Sequence, residues 1–353
     1  MKDLINLTKQ ELTEQLIKIG EKPFRAKQIW NWIYVRGVVD FAQMTNITKG
    51  ARELLAQHFT ISRPSVNHDK TAADGTRKWV VKFVDGNLVE TVFIPEETRG
   101  TLCISSQVGC TLACKFCHTG TQTLVRNLET AEIVGQIMLA KDLLDDWKSP
   151  ARITNIVFMG MGEPFYNYEN VAKTVAALID TDGLALSARR VTISTSGLVP
   201  EILRMSKELK TSLAISLHAT NDALRTSIMA INKRYPLDEL MKACKIYNNE
   251  NPKENITFEY VMLKDVNDQP EHARELIALI KKYNLNAKIN LIPFNVWMSC
   301  GFERSSDEKI LQFQQILKNA KLIAPIRKTR GEDVMAACGQ LKSDSQRVKK
   351  LSR

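Results

Sequence analysis

One stretch constrains this chain more than any other: Cys103 to Cys117, which reads C-ISSQVG-C-TLA-C-KF-C. Cys110, Cys114 and Cys117 form a C-x3-C-x2-C run, and Cys103 stands seven residues upstream. Three thiolates this close can converge on one soft metal centre. Iron–sulfur clusters are usually held by four cysteine thiolates, and the short run supplies three. A four-iron cluster on three ligands keeps one iron open, and an open position separates catalytic metal sites from closed structural ones. Structural zinc is a second reading, with Cys103 or His118 as fourth ligand, although His118 directly follows Cys117 and both side chains would have to turn toward one ion. Unrelated thiols are the third. A disulfide framework does not fit seven cysteines, an odd number, in a 353-residue chain whose start, MKDLINLTKQELTEQ, is too charged for a secretory signal. A reducing, cytoplasmic setting is expected.

The 44% hydrophobic and 25% charged residues are those of an ordinary globular protein, and no apolar run approaches a membrane span. Lys and Arg outnumber Asp and Glu by 49 to 39, a net charge of +10. That excess is either a solvated basic surface or an electrostatic footprint for nucleic acid. Its clustering in the N-terminal segment and in the tail Lys342–Arg353 favours the second reading.

Leu4, Leu7, Leu12, Leu16 and Ile19 recur at helical spacing, and Gly20 is expected to stop that helix. The next stretch, EKPFRAKQIWNWIYVRG, interleaves Arg25, Lys27 and Arg36 with Phe24, Trp30, Trp32 and Tyr34. It reads as an amphipathic helix with Trp30 and Ile33 in a small core, its cations free to touch phosphate. WVVKFV and LVETVFI read as strands joined by a hairpin turn at Asp85-Gly86-Asn87. Four segments are expected: a helical accessory domain at 1–75, a β-hairpin extension at 76–100, a core at 101–341 and a basic tail at 342–353.

From 101 onward strand-like runs (TLCISS, ITNIVFMG, RVTIST, SLAISLH, ITFEYVML, KINLIPF, KLIAPIR) alternate with helix-like runs at 129–147, 167–180, 236–248, 269–283 and 306–319. That alternation implies βαβ units and a parallel sheet, hence an α/β fold. Polar and Gly/Pro-rich sequences follow the strands: GMGEP after the second, STSG after the third, SLHA after the fourth and PFN after the sixth. In a barrel or open α/β sheet this edge binds ligands. The cysteine loop follows the first strand and shares the edge.

C-x3-C-x2-C followed by a long helix and GMGEP resembles the radical S-adenosylmethionine (SAM) enzymes. Taken together, TLCISSQVGC, RNL, GMGEP, RVTISTSGLVP, SLHA, PFN and GEDVMAACGQL resemble the RlmN/Cfr family of RNA adenosine methyltransferases. The likeness runs from GEKPFRAKQIWNWIY to CGQL. It implies an incomplete (β/α)6 TIM-like radical SAM barrel, a 4Fe-4S cluster on Cys110, Cys114 and Cys117, and two SAM molecules per turnover. It assigns SAM contacts to Gly162, Glu163, Ser194, Ser216, Leu217, His218 and Asn295.

The resemblance also implies why further cysteines are needed. C2 of adenine is electron-poor and no nucleophile, whereas a thiolate is a good one. Cys338 would take a methyl group from one SAM, and a radical made from the second would activate that methyl for bonding to C2. Cys103 would then free the product through a transient disulfide with Cys338. Glu90 matches the family's proton acceptor, with Cys103 its rival; on residues alone Glu90 reads as an exposed, alternating strand position. The implied substrate is an adenosine of 23S rRNA at the peptidyl transferase centre, with the adenosine 3′ of a tRNA anticodon as a second candidate. An electron donor such as flavodoxin or ferredoxin, a monomeric state and no membrane contact complete the expectation. Two other readings stay open: a Cfr-like C8 methyltransferase, and a non-catalytic RNA-binding protein with a structural metal. Cys244 and Cys300 match no motif and read as structural.

Overall fold

The structure, a computed structural model, describes residues 1–345, so most of the basic tail expected at 342–353 lies outside the described residues. The N-terminal part holds helices α1 (Lys9–Lys18), α2 (Arg25–Tyr34) and α3 (Lys49–His58). The leucine periodicity suggested one helix from Leu4, but the chain makes a separate 3-10 turn at Leu4–Asn6. Thr8 then caps α1, its hydroxyl accepting from Glu11 N while the Glu11 carboxylate accepts from Thr8 N. This reciprocal box supplies orphan donors with partners and fixes where the helix begins. Gly20 follows α1 at φ +83°, as the stop signal predicts. Leu4, Leu12, Leu16, Ile29, Trp30 and Ile33 form the core of this part.

Nine strands form one sheet, each hydrogen-bonded to the next in chain order. They are β1 (Ser65–Thr71), β2 (Arg77–Lys82), β3 (Leu88–Pro95), β4 (Gly100–Cys103), β5 (Asn155–Phe158), β6 (Val191–Thr195), β7 (Ser212–Ser216), β8 (Ile256–Met262) and β9 (Ala287–Pro293). β1 to β4 pair antiparallel. β4 to β9 pair parallel, as βαβ alternation requires. Seven helices lie along the parallel half: α4 (Thr130–Leu144), α5 (Tyr168–Ile179), α6 (Val199–Glu208), α7 (Asp222–Ile228), α8 (Leu237–Glu250), α9 (Pro270–Lys282) and α10 (Asp307–Asn319). Six parallel strands around a lumen make the incomplete (β/α)6 barrel that the resemblance implies. No helix among the described residues is long and apolar enough to cross a membrane.

The hairpin does not stand apart from the barrel. β3 pairs with β4, Val92 opposite Cys103, so the barrel sheet runs straight into it. β1 has no apolar alternation and is exposed at nearly every position; it is an edge strand protected by polar residues, which is why periodicity did not reveal it. KLIAPIR is a correction of the opposite kind. It bonds β9 only through the isolated bridges Lys288–Ile323 and Leu291–Ile326. Pro325 has no N–H to give, and proline interrupts a strand for that reason.

α4 is apolar nearly all round because it is covered on two sides. Ile133 and Ile137 join the barrel core, while Ala131, Val134 and Met138 join the N-terminal core. The helix clamps the accessory helices to the barrel.

Candidate active site

The lumen divides into two cavities that meet at a waist. The first, about 160 Å³, lies at the C-terminal ends of the strands. The second, about 770 Å³, runs from mid-strand toward the N-terminal ends. Met159, Glu259, Ile292, Arg327 and Cys338 line both.

Cys110, Cys114 and Cys117 line the first cavity. Their loop is pinned by Cys110 N to Gln122 O (3.1 Å) and Lys115 N to Ile228 O (3.0 Å). Gly109 sits at φ +79°, where a Cβ would come within 2.3 Å of Thr123 O, so the loop cannot accept a side chain there. Burial pushes the Cys110 thiol up to about 12. It also raises Cys114 and Cys117, each further raised by a neighbouring cysteine. Thiols so placed become thiolates only when a cation compensates them, which is what a metal centre does. The donor set fits a 4Fe-4S cluster. Among the described residues no three His, Cys, Asp or Glu side chains gather closely enough around one point to hold a single ion. A cluster asks for one thiolate per iron rather than three on one ion.

Opposite the cysteines the strand ends present Gly162, Glu163, Ser194, Ser216 and His218. Glu163 is buried, and its carboxylate accepts from Ser196 N (2.8 Å) and Phe165 N (3.1 Å). Burial outweighs those bonds and lifts it to about 7. Gly162 stands at φ +97°, and a Cβ would come within 2.5 Å of Gln107. His218 is buried and held neutral, down to about 3, by desolvation and then by the Arg225 charge. Its Nδ1 accepts from Val261 N at 3.0 Å, so the ring proton sits on Nε2. Leu217 is buried, lies off the wall and contributes its carbonyl to Arg225.

Sequence reasoning missed Arg225 and Arg327. Arg225, on α7, is fully buried. Its guanidinium donates to the carbonyls of Leu217 (3.1 Å), Ser196 (2.6 Å) and Ser216 (3.0 Å) and to Asn232 Oδ1 (3.0 Å). It locks the ends of β6 and β7 together. The run SLHATNDALR carries it, but nothing in the spacing marks the arginine. Among the described residues Arg327 is the only Lys or Arg on the wall of the first cavity.

Cys338 hangs on a C-terminal segment that folds back over the cysteine loop. His118 N donates to Gly339 O (2.7 Å), Thr119 Oγ1 to Leu341 O (2.5 Å), and Asn295 Nδ2 to Cys338 O (3.1 Å). Asn295 lines the second cavity and fixes the backbone of Cys338. Cys103, at the end of β4, is buried on the same cavity as Cys338. Burial, and then the nearby Cys338, push its thiol up to about 12, against the pull of Arg327. All seven cysteines are free. A disulfide is therefore not a feature of this structure, which corrects that part of the expectation. The implied bond would exist only after one thiol has attacked the other sulfur.

Glu90 is 4% exposed, contrary to the strand-alternation reading. Lys78 on β2 reaches it at 2.8 Å, and Lys342 N donates to its other oxygen at 2.9 Å. Burial raises its carboxyl, with the Lys78 charge opposing. It lies on neither cavity wall. On α2 and just after it the cations are already engaged: Arg25 with Glu21 (2.7 Å), Lys27 with Asp182 (2.8 Å), and Arg36 over the Trp32 ring (4.2 Å). Trp30 and Ile33 are buried as expected. Cys244 is buried on α8, and Cys300 donates to Phe302 O at 3.3 Å.

Comparison with known proteins agrees with this geometry. Residues 2–61 match the ribosomal RNA large subunit methyltransferase N-terminal domain, and residues 104–277 match the radical SAM superfamily. The chain is 53% identical to a dual-specificity RNA methyltransferase RlmN of Rhodospirillum rubrum, over 98% of this chain and 81% of that protein. It is 52% identical to the protein of that name from Zymomonas mobilis, over 99% of this chain and 91% of that one. A crystal structure of a radical SAM methyltransferase from Sphaerobacter thermophilus superposes with a TM-score of 0.90 at 42% identity, covering 97% of this chain and 99% of that one. With two-domain matches, full-length identity above half and the same fold, this chain belongs to the RlmN family of radical SAM methyltransferases.

Proposed function

We propose that this protein, a SAM-dependent RNA methyltransferase by its family, methylates C2 of an adenosine and carries the methyl group on Cys338. The observation that carries this reading is the position of Cys338 at the waist. It shares one cavity with the three-cysteine site and the other with Cys103. A carrier must reach both a methyl donor and a resolving thiol, and few positions in a barrel meet both needs.

The chain's own groups fall into roles. The Glu163 carboxylate, aligned by Ser196 N and Phe165 N, accepts from the ammonium group of SAM. Gly162 keeps the backbone beside it clear. Cys338, its thiol proton lost to solvent, attacks the methyl carbon of one SAM and becomes S-methylated, and S-adenosylhomocysteine leaves. Cys110, Cys114 and Cys117 would hold a 4Fe-4S cluster, which would supply, with a second SAM, the one-electron chemistry that takes a hydrogen atom from the methyl group on Cys338. The methyl carbon on Cys338, short of that hydrogen atom, bonds to C2; Glu90 or Cys103 takes the C2 proton, and the odd electron left on the ring returns to the one-electron centre. Cys103 then attacks the sulfur of Cys338, forming the disulfide; the carbon–sulfur bond breaks toward carbon, which takes up a proton and leaves as the methyl group of the base. Reduction of that disulfide restores both thiols.

The substrate we assign is 23S rRNA at the peptidyl transferase centre, with tRNA as a second substrate on the adenosine 3′ of the anticodon. A flavodoxin or ferredoxin serves as electron donor to a monomeric cytoplasmic enzyme. Mass spectrometry of nucleosides from RNA treated with the reconstituted enzyme tests the reading. 2-Methyladenosine is expected. 8-Methyladenosine would replace the C2 assignment by a Cfr-like one, and unmodified RNA would overturn both. Cys110→Ala, Cys114→Ala and Cys117→Ala should each lose iron and activity together; stoichiometric zinc without sulfide in the parent protein would contradict the cluster.

A further inference from the structure

Barrel enzymes work at the C-terminal ends of their strands, and the N-terminal ends ordinarily serve stability. Here the N-terminal end is open. The second cavity is lined by the first or second residues of successive strands, Thr101, Asn155, Thr192, Ser212, Thr257 and Lys288 among them. Its wall carries seven Lys and Arg side chains against three carboxylates. Two of those cations are spent, Arg99 on Glu96 and Arg330 near Asp74. Arg189, Lys253, Lys288, Lys328 and Arg327 have no carboxylate within ion-pair distance among the described residues.

Arg327 stands out within this group. Its backbone is fixed, N to Leu291 O at 2.8 Å, at the end of the segment that bridges to β9. Its guanidinium reaches the waist beside Cys338 yet makes no hydrogen bond to protein among the described residues. A fork of donors held inside a cavity without an acceptor is matched to an anion from outside, and phosphate fits that fork in bidentate fashion. Lys288 on β9, Lys328 next to Arg327 in the chain, Arg189 just before β6 and Lys253 just before β8 line the same cavity. The cations therefore run from the mouth to the carrier cysteine. At about 770 Å³ the cavity has room for a nucleotide, whereas the first cavity, about 160 Å³, already faces the cluster cysteines and the SAM-binding strand ends.

We propose that the RNA strand enters the barrel from the N-terminal end of its strands, with Arg327 holding the phosphate of the target nucleotide at Cys338 and the cations of the mouth holding neighbouring phosphates. SAM and nucleotide then approach the waist from opposite ends of the lumen. The inference rests on the reading of Cys338 as methyl carrier to RNA.

The test uses reconstituted full-length enzyme and a labelled RNA stem-loop carrying the target adenosine. Three variants are compared with the parent: Lys288→Gln/Lys328→Gln at the mouth, Arg327→Gln at the waist, and Lys233→Gln/Arg234→Gln on the turn that follows α7, whose Ile228 O holds Lys115 N of the cysteine loop. Three readouts are taken: methyl on Cys338 by intact-protein mass, RNA affinity against salt, and RNA methylation. The mouth variant should lower the slope of log affinity against log salt by about 1.4, the loss of two single-strand phosphate contacts. Arg327→Gln should keep methyl on Cys338 but lower RNA methylation at least tenfold at saturating RNA. If the mouth variant keeps its affinity and slope while Lys233→Gln/Arg234→Gln loses them, RNA enters over the cysteine loop and the proposal is wrong. Unchanged methylation in Arg327→Gln overturns the phosphate anchor. A parent enzyme that places no methyl on Cys338 overturns the underlying reading instead, so the two failures are separable.

Discussion

Lys78→Met should show how tightly the candidate base is bound into the fold. Lys78 Nζ lies 2.8 Å from Glu90 Oε1, with side chains only 10% and 5% exposed, and also donates to Met335 O at 3.1 Å. Removing one partner of a buried ion pair strands the other charge, which typically costs about 3–5 kcal/mol. Glu90 would keep one donor, Lys342 N. Removing both charges together avoids the stranded ion, so Lys78→Met/Glu90→Gln should lose less than the two single variants combined, with a coupling of about 2 kcal/mol or more. The pH dependence has a definite sign. Burial already raises the Glu90 carboxyl in the folded state, and loss of Lys78 raises it further. A raised carboxyl costs nothing below its unfolded value near 4.3, and the penalty grows by about 1.4 kcal/mol per pH unit up to the folded value. The deficit of Lys78→Met should therefore be largest at neutral pH and shrink as pH falls toward about 4. Urea unfolding of the four proteins at pH 4.5 and 7.5 measures both effects. Single-variant losses that add to within about 0.5 kcal/mol, the tolerance for independent sites, would refute the coupling.

Gly162→Ala should cost about 2–5 kcal/mol, the sum of a side chain forced to positive φ and overpacking against Gln107, and should weaken SAM binding in calorimetry while iron content holds. Asp85 is drawn upward by burial, but hydrogen bonds from Arg126 and Asn87 outweigh it and bring it down to about 2. Its contribution is thus present above the unfolded value near 3.9 and fades as pH falls toward 2. Because the pair is partly exposed, Asp85→Asn should lower stability by only about 1 kcal/mol at pH 7, a difference that closes in acid unfolding curves.

Much of this architecture was legible in the chain. Six strand-like runs became β4 to β9 because buried parallel strands need continuous apolar residues, and the cysteine spacing and strand-end motifs fell on one rim. β1 escaped because an exposed edge strand carries no apolar pattern, and KLIAPIR misled because its apolar residues outvoted Pro325. Glu90 reads as polar alternation only while Lys78 and Lys342 are unknown neighbours, and they come from β2 and the C-terminal segment. Arg225 and Arg327 were invisible for a related reason. A buried arginine is defined by the carbonyls or cavity it meets, and those come from other strands.

The carrier role of Cys338 is tested most directly in the variant that cannot finish the reaction. Cys103→Ala keeps the three cluster cysteines and Cys338 but lacks the thiol on the far side of the waist. The account predicts that this protein, purified from cells under denaturing conditions, carries covalently attached RNA that nuclease removes, and that Cys103→Ala/Cys338→Ala carries none. Cys103→Ala protein free of RNA with methylation intact, or a Cys338→Ala enzyme that still methylates adenosine, would contradict it.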